Sequence, residues 1–150
     1  MTTRLAGILA VIAGFVVATA VMMTVETVNG RFLYPELGRL AAGMTDREAI
    51  RTLLAGAPTG ALVVVIVGWA VASVAGGGVA AWIAGRRRIL SAMIVGGLLT
   101  VAGIANNLML PPPSWFWIAG LVVFLPTAYA GARLAGARLT TGTDGRERHP

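Results

Sequence analysis

The sequence has no cysteine, no lysine and a single histidine, the next-to-last residue His149. Without thiols there is no disulfide framework, no thiolate metal ligand and no cysteine nucleophile. Without a histidine in its apolar body there is no paired-imidazole haem site, and no imidazole base to activate Ser73, Ser91 or Ser114. Charge is scarce as well: charged residues make up 12% of the 150 positions, against roughly 25% in an ordinary soluble domain. The few carboxylates show no metal-ligand spacing. No glycine-rich phosphate loop follows a strand pattern. These absences lead to the expectation of a non-enzyme with no cofactor and no metal.

What fills the chain instead is apolar: 57% of residues are hydrophobic, and they fall into four long runs at about 5–28, 60–84, 89–110 and 115–136. Each run is long enough to cross a hydrocarbon core of about 30 Å as a helix of about 20 residues. The fold class expected is therefore an all-α membrane protein, a four-transmembrane-helix bundle. It forms one domain over residues 1–139, with a polar, disordered tail over 140–150. An Ala18-Thr19-Ala20 cleavage site would fit a signal peptide, but the run continues through Val21, Met22, Met23 and Val25, which favours a retained span.

The net charge of +6 comes entirely from arginine on the basic side. In a soluble protein such an excess would suggest nucleic acid; here its distribution follows topology. Arg4, the Arg86-Arg87-Arg88 cluster, Arg133, Arg138, Arg146 and Arg148 fall on one side of a four-crossing chain. Arg31, Arg39, Arg47 and Arg51 on the other side are diluted by Glu36, Asp46 and Glu48, and the Pro111–Ser114 connection is uncharged. Basic residues near span ends stay cytoplasmic. Both termini are thus expected in the cytoplasm, with the 30–59 loop outside. Trp115, Phe116 and Trp117 sit where an outer aromatic belt belongs. Arg86, Arg87 and Arg88 are also candidate contacts for anionic lipid head groups.

Lipid is as apolar as leucine, so helix association must come from close packing of small residues. The spans carry such residues in rows: Ala6, Ala10, Gly14 and Ala18 in the first, and Ala92, Gly96 and Thr100 in the third. Span 2 has two adjacent rows, Ala72-Gly76-Ala80-Ala84 and Ser73-Gly77-Ala81-Gly85. Two rows predict a central helix touching neighbours on two sides, with Gly14, Gly76, Gly77, Ala80, Ala81 and Gly96 as packing positions. In the outer loop, Thr45-Asp46-Arg47-Glu48 matches a capping box with Thr45 as N-cap. It predicts a short interfacial helix over about 46–55, and Tyr34-Pro35-Glu36 is expected to be extended or turned.

The one carboxylate within a span is Glu26, and it is the one candidate there for a functional ionisable group. At about 1.5 Å per residue it stands near the outer interface, at a height similar to Asn106 and Asn107, with Asn29 close by. Adjacent helical residues differ by about 100° in direction, so only one of Asn106 and Asn107 is expected to point inward. Glu26, Asn29, Asn106 and Asn107 form the candidate outer polar pocket, suited to a cation or a polar head group. Alternatively, Glu26 caps or pairs with the loop and the amides bond loop backbone.

The stretch Gly60–Arg88, with its Ala84-Gly85-Arg86-Arg87-Arg88 ending, resembles a group of small bacterial four-span membrane proteins. So do Gly103-Ile104-Ala105-Asn106-Asn107-Leu108-Met109, Pro113-Ser114-Trp115-Phe116-Trp117 and Tyr34-Pro35. That resemblance implies a four-span topology and a bacterial inner-membrane setting, and it carries no activity. The leading functional expectation is a non-catalytic accessory or scaffold protein whose partners are the lipid bilayer and itself or another membrane protein, with no nucleic acid. The alternative is a small transporter or channel with a shallow outer vestibule around Glu26 and Asn106.

Overall fold

The computed structural model describes residues 3–85 and 88–141. Among them every regular element is helical: α1 (Thr3–Val28), α2 (Pro35–Ala41), α3 (Arg47–Ala55), α4 (Thr59–Ala84), α5 (Arg88–Met109) and α6 (Ser114–Thr141). Four of these, α1, α4, α5 and α6, are long and apolar enough to cross a membrane. Their outward surfaces carry large apolar side chains, among them Ile12, Val16, Val67, Val71, Val101, Ile118 and Val122. A water-soluble bundle buries such residues; a bilayer accepts them.

The helix ends have local causes. The first helix widens into one π turn over Asn29–Leu33, and the Tyr34 N–H donates to the Asn29 carbonyl at 2.8 Å. Tyr34 precedes a proline, which disfavours the helical region, and it sits at φ −133°, ψ 63°. Pro35 then occupies the first turn of α2, where a missing N–H costs nothing and the fixed φ suits a helix. The chain doubles back so closely here that a side chain on Gly38 would overlap the Gly30 carbonyl. The expected extended segment is thus corrected: of the three residues Tyr34 alone is non-helical, and Pro35 and Glu36 open a second short helix before the one anticipated.

In α3 the N-cap is Asp46, whose Oδ2 accepts from the Ala49 N–H at 3.2 Å. The expected cap, Thr45, lies one residue outside. A carboxylate at this position also faces the positive end of the helix dipole, which favours Asp46 over its neutral neighbour. Gly85, at φ 56°, closes α4 in the left-handed region that glycine tolerates best. At the far end α6 continues to Thr141, so Thr140 and Thr141 are helical, where a disordered tail was expected. The remaining tail, 142–150, lies outside the described residues.

The bundle is organised around α4, which packs along α1 on one side and α6 on the other and also touches α5. The register is set by glycine. A Cβ on Gly14 would come within 2.5 Å of the Gly76 carbonyl oxygen, and one on Gly76 within 2.5 Å of the Gly14 carbonyl. On the adjacent face, a Cβ on Gly77 would meet the Ala128 carbonyl at 2.5 Å, and one on Gly131 would overlap the Val74 carbonyl. The row Ala72-Gly76-Ala80 therefore serves α1, and the row Ser73-Gly77-Ala81 lies toward α6. Gly14, Gly76, Gly77, Ala80, Ala81 and Gly96 are all buried, Gly96 against Ala128. Pairings 14 with 76 and 25 with 68 make α1 antiparallel to α4, and 96 with 128 and 103 with 124 make α5 antiparallel to α6. The chain runs up, down, up, down.

These contacts yield a contrast between two glycines. Gly131→Ala drives a methyl into the Val74 carbonyl and should destabilise the bundle by about 1–3 kcal/mol, the range for overpacking. Around Gly97 an added Cβ meets nothing within 4 Å, so Gly97→Ala should be neutral or stabilising by up to about 1 kcal/mol through helix propensity. Denaturant titration of the two variants in mixed micelles measures the difference.

Candidate functional site

At the end of the bundle that carries α2 and α3, α1 and α5 both lean on α4 but meet each other far less. The gap between them is a cleft of about 320 Å³, lined by Phe15, Thr19, Met22 and Glu26 of α1, Trp69 of α4, Leu99, Ala102, Gly103 and Asn106 of α5, and Phe124 of α6. Trp69 is its keystone. The ring is buried, stacks on Phe124 with centroids 5.4 Å apart, and meets Phe116 edge-on at 5.1 Å. It fits only because Gly120 faces it: a Cβ there would come within 2.6 Å of the ring. A buried indole N–H needs an acceptor. Trp69 Nε1 donates to Glu26 Oε1 at 3.2 Å, tying α4 to α1 and aiming the carboxylate at the cleft.

The four residues expected to share one pocket divide into three environments. Glu26 and Asn106 line the cleft together. Asn29 does not: it is buried, and its Nδ2 donates to the Ala61 carbonyl at 3.1 Å, joining the end of α1 to the start of α4. Asn107 does not line it either. It is the inward residue of the pair, fully buried, and neither of its side-chain polar atoms has a protein partner. Glu26 is not held by a loop arginine: the ion pairs among the described residues are Arg39–Glu36 at 2.9 Å and Arg51–Glu48 at 4.0 Å, both on exposed outer helices. Arg47 instead donates to the Leu108 carbonyl at 2.7 Å, fastening α3 to the end of α5.

Of the arginine cluster, Arg86 and Arg87 lie outside the described residues. The Arg88 guanidinium lies against Gly136 of α6, where an added Cβ would approach Nη1 to 2.9 Å. No group of three or more potential metal ligands occurs among the described residues. Two further concavities are apolar. One, of about 790 Å³, runs between α2 and α3. The other, of about 600 Å³, is a surface groove between α4 and α6 lined by Gly78, Trp82 and Gly131 among others.

Sequence reasoning missed Trp69. It lies ten residues into α4, away from the interfacial belts where tryptophan is usual, and that displacement was the available signal. Trp69→Phe should lower stability by about 1–3 kcal/mol through the lost charge-assisted bond and lost packing. The same change at the exposed Trp82 should stay within about 0.5 kcal/mol. Chemical unfolding followed by circular dichroism compares the two. No family model, no curated protein and no solved structure matches the chain, so the reading of this cleft rests on its own geometry.

Proposed function

We propose that this chain is a multi-pass protein of a bacterial inner membrane, with both termini in the cytoplasm, and that it works without catalysis by binding a ligand in the cleft between α1 and α5. The orientation follows from arginine: Arg88 and Arg133 lie toward one end of the bundle, and the connection bearing Glu36, Asp46 and Glu48 lies at the other. The observation that carries the function is the convergence of Glu26, Asn106 and the Trp69 indole N–H, from three different helices, on one cavity. Glu26 faces that cavity with no arginine partner among the described residues, which leaves its charge available to a ligand.

Binding fits better than passage across the membrane. Deeper in the bundle, α4 closes backbone to backbone on α1 at Gly14 and Gly76 and on α6 at Gly77 and Gly131, and the lining of the cleft reaches no deeper than Phe15 and Leu99. An accessory role through small-residue faces is the second reading. Most of those faces are used inside the bundle; the groove lined by Gly78, Trp82 and Gly131 is the one that favours a partner helix or a second copy.

Because the sequence contains no native cysteine, thiol labelling tests both orientation and access. In intact cells Thr45→Cys should react with a membrane-impermeant maleimide, and Thr141→Cys should react only after permeabilisation. Ala102→Cys, on the cleft, should react with a small water-soluble thiol reagent added from outside. Val101→Cys, exposed on the neighbouring helix face, should not. Equal inertness at 101 and 102 would make the cleft an ordinary lipid-filled groove.

A further inference from the structure

We propose that the ligand of this cleft is a lipophilic monocation: an ammonium group attached to a compact apolar body. The inference rests on the binding reading above and adds the chemistry of the ligand. Three features select it. The cleft holds one carboxylate, Glu26, and no lining residue is basic, so an anion would meet repulsion and a cation would meet its counter-charge. A single carboxylate is too few for a hard divalent ion, which takes six or more oxygen ligands; an ammonium needs only a few acceptors. Glu26 Oε1 accepts from Trp69, which leaves Oε2 to accept from a ligand, and Asn106, whose side-chain amide carries a second acceptor oxygen, lines the same cleft.

The third feature is the wall. Below Glu26 the cleft is bounded by Phe15, Met22, Leu99 and Phe124, with Thr19 the one hydroxyl. That hydroxyl is turned away, donating to the Phe15 carbonyl at 2.9 Å. A small inorganic cation would leave this surface without contact. A ligand carrying an aromatic or branched hydrocarbon beneath its ammonium would bury it, and about 320 Å³ lies at the small end of ligand cavities. Glu26 and Asn106 are both exposed, so an ammonium reaches the carboxylate while its hydrocarbon body contacts the wall. The same chemistry is offered by a free amine and by the ammonium head of a membrane lipid.

The test uses the full chain in nanodiscs of phosphatidylglycerol, a lipid with no amine. Binding of radiolabelled benzylammonium, over that of empty discs, is measured against the anion benzenesulfonate, a probe of similar aromatic body. The cation should bind saturably and the anion should not. Glu26→Gln, which keeps the shape and an acceptor for Trp69, should weaken cation binding at least tenfold. Ala102→Phe, which fills the cleft without touching its charge, should abolish binding. Unchanged unfolding midpoints show that both variants are folded. Adding phosphatidylethanolamine to the discs separates the sources. Competition assigns the site to a lipid ammonium, and lack of competition assigns it to a free amine; either supports the proposal. Equal binding by Glu26→Gln, or equal binding of cation and anion, would overturn it. A cleft that labels at Ala102→Cys but shows no charge dependence would leave the binding reading standing and remove only the cation.

Discussion

Two faces of α4 come so close to their neighbours that a side chain would not fit between the backbones, and the rest of the bundle is arranged around that approach. Gly76 meets Gly14 on one face; Gly77, Gly78 and the Val74 carbonyl meet Ala128 and Gly131 on the other. In water, burial of leucine and valine would supply the association. In lipid it cannot, because the alternative environment is equally apolar. What distinguishes the associated state is dispersion over closely matched surfaces, and glycine and alanine give the closest match. Many large apolar residues accordingly face outward, Ile118 and Val101 being about two-thirds exposed, while the buried large side chains gather around Trp69.

The same constraint opens the cleft. Toward the end that carries α2 and α3, α4 changes from small residues to Trp69, and α1 and α5 stand apart on either side of the indole. The bulk is accommodated by Gly120 on α6 and by the stacked Phe124, so the ring is fixed rather than merely buried. Its N–H then decides where the Glu26 carboxylate stands. Packing, the hydrogen bond and the polar site are one structure here: the buried ring forms part of the cleft wall, and its N–H anchors the carboxylate. The outer helices complete the arrangement, with Arg47 holding α3 to the last turn of α5 close to Asn106.

Much of the helical layout was legible in the sequence because it depends on run length and residue size. The four long helices follow from uninterrupted apolar stretches, and the rows in span 2 correspond to two interfaces because residues four apart share a helix face. Other features were not legible, for physical reasons. Asp46 and Thr45 both cap helices, and only geometry separates them. Pro35 suppresses helix before itself and starts helix after itself, and the first effect alone suggests an extended segment. Asn106 and Asn107 differ by one position, so small rotations of α5 decide which faces the cleft. The indole of Trp69 reads as one more apolar residue until the partner of its N–H is known, and that partner lies 43 residues away in the chain.

The approach of α1 to α4 is the most direct point to examine. A Cβ on Gly14 would meet the Gly76 carbonyl, and one on Gly76 the Gly14 carbonyl, each at 2.5 Å, so the two positions share one contact. In denaturant titrations Gly14→Ala and Gly76→Ala should each destabilise the bundle by about 1–3 kcal/mol, and the double variant should cost clearly less than their sum, because one outward shift of α1 accommodates both methyls. Two variants as stable as the parent, or costs that simply add, would contradict a bundle built on close contact between these two helices.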